Sequence, residues 1–232
     1  MSPIISSVNQ SFGFATTSPK IVTNGLVLYL DAGQSTSYNG GTTWTDLSGN
    51  GNNGTLVNGV GYNGSNLGSL SFDGVNDYLS FNGITLNTNT GFTIDMWIYI
   101  INPQPVYPNF WAYWYEFNNF EFGSYGTGNF IFKDNAATGS PSISANTGVD
   151  RWGHISFGCN STTPFLYSNG ISRGTAGNFR NTNISITNLV RSQSSGTRNY
   201  KIYKSSIKIY NRALTASEIQ QNFNALRGRF GI

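Results

Sequence analysis

The sequence predicts an all-β fold: two antiparallel sheets packed face to face as a jelly-roll sandwich, with an N-terminal extended arm and one short C-terminal helix. Three observations predict it. Asn-Gly pairs recur at Asn39-Gly40, Asn50-Gly51, Asn53-Gly54, Asn58-Gly59, Asn63-Gly64, Asn82-Gly83 and Asn169-Gly170, and both residues tolerate the positive φ that tight hairpins require. Short runs rich in β-branched and aromatic residues lie between them, with no crossover helices. Only one stretch near the end carries a helical period. The chain has 232 residues, which suits a single large β domain with a substantial core.

Residues 1–24 read differently from the rest. Ile4, Ile5, Val8, Phe12 and Phe14 are spaced irregularly among Ser, Asn and Thr, with Pro3 and Pro19 as breakers. This is an extended arm, either a flexible leader or a segment that docks on a partner. The jelly-roll domain then spans residues 25–232. Its strand runs are Leu26–Asp31, Leu70–Asp73, Tyr78–Phe81, Phe92–Ile101, Phe110–Phe117, Asn129–Phe132, Trp152–Gly158, Phe165–Ser168, Ile184–Leu189 and Tyr200–Tyr210. In the run from Phe92, the two-residue period puts Phe92, Ile94, Met96, Ile98 and Ile100 on the core face. Thr93, Asp95, Trp97 and Tyr99 share the other, which is expected to face solvent at least in part because a buried Asp95 needs partners. In the last run Ile207 and Ile209 take one face, and Lys208 and Tyr210 the other.

The helix begins at Thr215-Ala-Ser-Glu218, a capping box. Ile219, Phe223 and Leu226 follow on one apolar stripe, and Gly228 is placed to end it.

These stretches carry a resemblance. The closing Ile209-Tyr-Asn-Arg-Ala-Leu-Thr-Ala-Ser-Glu-Ile219 resembles the end of laminin G-like domains, a branch of the concanavalin A-like jelly rolls. Gly25–Ala32 with Trp44–Gly49 and Asn52–Gly54 resembles their opening. Leu70–Leu79 and Phe92–Ile98 resemble the second and third strands, and Trp152-Gly-His-Ile155 with Leu166–Gly170 the late hairpin. The ending Asn222–Phe230 is similar to copies found in virion structural proteins of tailed bacteriophages. The resemblance implies a non-enzymatic virion component on the capsid, neck or tail, anchored by its arm. Its partners would be other virion proteins and further copies of itself, as a homo-oligomer. The alternative it implies is a receptor-binding or adhesive carbohydrate-binding module that meets cell-surface glycans.

Composition narrows the classes. Charged residues make up 10% against 15% aromatics, so the polar surface is mostly amide, hydroxyl and glycine, and aromatics argue against disorder. The net charge is +3, with only a modest cluster from Arg191 to Lys208 and at Arg227 and Arg229, so no nucleic-acid partner is expected. A single cysteine, Cys159, excludes an intrachain disulfide and suits folding in a reducing compartment. No apolar run reaches the length of a membrane span and no signal peptide is evident. The expected location is a virion surface, after synthesis in the host cytoplasm.

Four sets of residues invite chemistry. Phe110-Trp-Ala-Tyr-Trp-Tyr-Glu-Phe117 is aromatic on both faces, with Trp111, Tyr113 and Tyr115 on one and Trp114 on the other. Trp111, Tyr113, Trp114 and Tyr115 are therefore candidates for a glycan platform or a subunit interface, set against a strand buried beneath a loop. Glu116 and Glu121 resemble the carboxylates that some enzymes of this fold cluster on one strand, but five residues apart on an unbroken strand they face opposite ways. Asp73 and Asp77 could hold calcium, as related domains do, or could simply build a turn. His154, the only histidine, reads as a packing residue. No cofactor and no catalytic residue is expected.

Overall fold

The computed structural model describes residues 20–102, 112–117, 120–125, 128–190 and 201–232, and of residues 66, 112–117, 124 and 125 the backbone alone. In chain order its strands are β1 Leu26–Asp31, β2 Thr43–Trp44, β3 Gly54–Val57, β4 Gly61–Asn63, β5 Ser69–Asp73, β6 Tyr78–Asn87, β7 Phe92–Ile100 and β8 Ala112–Phe117. There follow β9 Phe120–Tyr125, β10 Asn129–Asp134, β11 Ser142–Asn146, β12 Trp152–Asn160, β13 Thr163–Ser168, β14 Ile171–Thr175, β15 Asn183–Leu189 and β16 Lys201–Tyr210, and then the helix α1 Ala216–Leu226.

All pairings among the described residues are antiparallel. One layer is a large sheet in the order β14-β13-β12-β7-β16-β5-β4, with β1 also on β16. The other layer consists of two smaller sheets, β11-β10-β9-β8 and β15-β6-β3-β2. Ile94, Phe157 and Ile207 from the first layer meet Phe122, Phe132 and Ile186 from the second in one continuous core. Phe122 stacks on Phe157 with centroids 3.6 Å apart, and Phe132 meets the same ring edge-on. The all-β sandwich expected from the sequence is the observed architecture.

Several expectations change. Asn82-Gly83 does not turn the chain. Gly83 takes a φ of +100° inside β6, and the β15 register slips between Ile186 and Asn188. The pair makes a bulge that lets one long strand continue. Asp95 is not solvent-facing: it is fully buried, because the C-terminal segment lies over the outer face of β7. Phe223 and Phe230 stack on Trp97 at 5.7 and 4.3 Å. Lys208 and Tyr210 are buried with it. Lys204 turns inward, opposite Ile98 and against the Met96 sulfur, and burial brings its ammonium down to about 7.

The capping box forms as read. Thr215 Oγ1 accepts from the Glu218 N–H, and Glu218 Oε2 accepts from the Thr215 N–H at 2.8 Å. Arg212 grips the same carboxylate and, chiefly through that hydrogen bond, holds it at about 2. Thr215→Ala should cost about 1 kcal/mol of stability, read as a shift of the denaturation midpoint. The chain leaves the helix through a short 3-10 turn, and Gly231, not Gly228, takes the left-handed conformation that closes it, at φ +69°. Gly228 lies within that turn, because Phe230 must still reach Trp97.

The arm residues Ile4, Ile5, Val8, Phe12 and Phe14 lie outside the described residues. Its last residues, however, are packed on the domain itself. Val22 is buried, its N–H donates to Asn222 Oδ1, and its carbonyl accepts from the Tyr210 hydroxyl. Gln221 bonds the Lys20 carbonyl. Removing residues 1–24 should therefore destabilise the domain by about 2 kcal/mol relative to removing residues 1–19, measured by urea melts of the two truncations.

Candidate functional site

Three neighbouring strands each present an aromatic residue at one level of the large sheet's outer face. Tyr99 on β7 lies opposite Trp152 on β12 and, on its other side, opposite Tyr203 on β16. The register therefore aligns Trp152, Tyr99 and Tyr203 in a row across the strands. Tyr99 meets Trp152 edge-on at 5.8 Å and tilts against Tyr203 at 5.6 Å. Beyond Tyr203 the row continues into Ser71 and Gly61, too small to cover it.

This step from large to small side chains leaves a cleft of about 210 Å³ lined by Asn63, Ser65, Ser69, Tyr99, Trp152 and Tyr203. The three rings are half-buried, so each is held from behind while part of its surface faces the cleft. Trp152 is backed by Phe230 at 4.6 Å, and Phe230 in turn stacks on Trp97. The C-terminal turn thus fixes the orientation of the tryptophan. Burial, then Asp150, raises the Tyr99 phenol above its ordinary range, and the phenol can donate as well as accept. Flat ring faces beside amide and hydroxyl groups suit the alternating C–H faces and hydroxyl edges of a sugar.

Beneath the C-terminal segment, next to this row, lies a buried polar cluster. Asp95 accepts from Lys208 at 3.2 Å and pairs with His154 Nε2 at 2.8 Å. Burial alone would raise the Asp95 carboxyl, but His154 and Lys208 hold it well below the usual carboxylate range. His154 is enclosed by Trp97 and Phe223. It is a packing residue, as the sequence suggested, and it is also the partner that Asp95 required.

The other predicted sites fare differently. Trp111 lies outside the described residues. Tyr113, Trp114 and Tyr115 fall on β8, where only the backbone is described. A register shift there sets Tyr113 opposite Gly123 and Tyr115 opposite Phe122. Those partners are adjacent on β9, so the backbone pairing carries an irregularity between Tyr113 and Tyr115. Glu116 and Glu121 are not on one unbroken strand. They belong to paired strands and sit directly opposite each other; Glu121 is buried and accepts from Asn135. Asp73 and Asp77 serve the turn: Asp73 Oδ1 accepts from the Val75 N–H, and Asp77 Oδ2 from the Asp73 N–H. Among the described residues no group of three metal-ligating side chains is found, and no helix is long and apolar enough to cross a membrane. Cys159 is buried, and its thiol is raised by that burial.

The residues of the cleft were not singled out by the sequence. Period two placed Tyr99 outward, and Trp152 and Tyr203 each fell in an expected strand. Only the cross-strand register shows that the three are neighbours.

A family model for the concanavalin A-like lectin/glucanases superfamily matches residues 72–220. Among solved structures, the chain is similar to the receptor-binding domain of botulinum neurotoxin type G, with a TM-score of 0.60, 16% identity, and coverage of 86% of this chain and 51% of that one. It is also similar to a Trypanosoma rangeli sialidase mutant displaying trans-sialidase activity, with a TM-score of 0.65, 15% identity, and coverage of 91% and 34%. The binding domain of botulinum neurotoxin serotype D gives a TM-score of 0.64 at 15% identity, covering 87% and 52%. The chain thus spans between a third and about half of the length of these neighbours. No curated protein matches it in sequence.

Proposed function

The chain belongs to the concanavalin A-like lectin/glucanase superfamily, and on that premise we propose that it is a carbohydrate-binding module whose site is the Trp152–Tyr99–Tyr203 row. The observation that carries this reading is the register that assembles three half-buried rings beside Asn63, Ser65 and Ser69 in one open cleft. A pocket of this size is smaller than the ~300–1,000 Å³ usual for enclosed ligands. It fits a module that holds one part of a glycan and leaves the remainder in solvent. The solved structures of similar fold include receptor-binding domains and a sialidase, which is in keeping with such a role.

We read the module as a binder and not a catalyst. Glu121, the described member of the carboxylate pair, is tied to Asn135. Asp73 and Asp77 hold their own turn, so binding is expected to need no calcium. Where the module is mounted is a separate proposal, and it rests on sequence alone. The ending Asn222–Phe230 and the arm favour the surface of a tailed-phage particle. Incorporation of the 1–19 truncation into particles tests it, and normal incorporation would remove the arm as the anchor.

The glycan reading is tested by screening wild-type protein and Tyr203→Ala on an oligosaccharide array, with circular dichroism to confirm the fold. Wild type should retain a defined set of glycans that the variant loses. An unchanged set would place binding elsewhere.

A further inference from the structure

We propose that the cleft selects neutral glycans and discriminates against sialylated, uronate-bearing or sulfated ones; the inference rests on the carbohydrate-binding reading above. Every described residue that lines the cleft is uncharged: three aromatic rings, one amide and two hydroxyls. An anionic sugar needs a cation placed to meet it, by preference an arginine fork.

Among the described residues, an acid stands beside the cleft and the nearby cations Lys201 and Arg229 face carboxylates. Asp150, in the segment just before β12, is held against the end of β7: its N–H donates to the Ile100 carbonyl, and its Oδ1 accepts from the Asn102 N–H at 3.0 Å. Its carboxylate is close enough to Tyr99 to help raise the phenol. Lys201 shares the Tyr203 face of β16, but the register sets it directly opposite Asp73 on β5, where opposite charges offset each other. Arg229, on the turn that carries Phe230, is directed away. It pairs with Asp31 at 2.6 Å and donates to the Gly68 carbonyl and the Ser205 hydroxyl. A ligand carboxylate or sulfate over Tyr99 would meet the Asp150 charge, while Arg229 is paired with Asp31 and Lys201 stands opposite Asp73. A neutral pyranose would meet ring faces and the Asn63 and Ser65 groups, with no charge to desolvate.

The experiment is an array of immobilised neutral, sialylated, uronate-bearing and sulfated oligosaccharides, probed with the full chain as wild type, Tyr203→Ala, Tyr203→Leu and Asp150→Asn. Tyr203→Leu keeps apolar bulk if the alanine variant fails to fold. Asn tolerates the φ of +54° at position 150 and keeps the oxygen that caps Asn102. The expected result is retention confined to neutral glycans and lost in the Tyr203 variants. Asp150→Asn should raise the ratio of acidic to neutral retention roughly two- to tenfold. Acidic glycans retained preferentially, and lost in the Tyr203 variants, would overturn the neutral preference and leave the binding site standing. Retention that the Tyr203 variants do not change, or no retention, would overturn the site itself and this inference with it.

Discussion

Asp95→Asn should cost about 3–5 kcal/mol of folding stability, the usual consequence of removing one partner from a buried ion pair. Asp95, His154 and Lys208 are all fully buried, on three adjacent strands of the large sheet. The carboxylate is the acceptor for both, at 2.8 and 3.2 Å. Asn keeps the shape and one acceptor oxygen but removes the charge, so the Lys208 ammonium stays buried without its counter-charge. Urea denaturation should show a lower midpoint with an unchanged slope. The same group governs acid stability. The folded-state carboxyl is held below its ordinary range, so the unfolded chain takes up the proton first as pH falls. The contribution of Asp95 is fully present above its unfolded pKa of about 3.9. It is lost as the pH falls from there through the lower folded value. Asp95→Asn should therefore lose less stability than wild type between pH 5 and pH 2, which thermal melts across that range measure.

Tyr203→Ala should weaken glycan binding by about 2 kcal/mol or more, roughly 30-fold, the range of aromatic residues central to a binding surface. Tyr203 ends the aromatic row on the side where Ser71 leaves the cleft open, so it offers ring surface to a ligand and is half-exposed. Its fold contacts are modest beside those of Trp152, which Phe230 backs. Loss of binding with retained stability separates a ligand contact from a packing role. Isothermal titration with a glycan identified on the array gives the ratio directly.

Much of the fold is written in local signals. Capping depends on residues three apart, and Thr215 and Glu218 do what their spacing allows. Alternation along β7 sorted Ile94, Met96 and Ile98 to the core correctly. It failed on the other face because a strand's period says which residues point together, not what covers them. The cover is supplied by Phe223 and Phe230, over a hundred positions away in the chain. With both faces covered, Asp95 could be buried, and the required partners came from β12 and β16. The same limit hid the cleft. Tyr99, Trp152 and Tyr203 are ordinary strand aromatics until register makes them neighbours. The dense run at 110–117 drew attention because it is conspicuous in one dimension, whereas the cleft row is conspicuous only across strands.

The most direct test of the central claim follows the tryptophan indole N–H resonances during a glycan titration. The chain has five tryptophans, and Trp152→Phe assigns the one at the cleft. The Trp152 signal should move on titration while that of buried Trp44 stays in place. Movement confined to Trp111 or Trp114, with Trp152 unchanged, would contradict the claim and place the glycan on the aromatic run at 110–117.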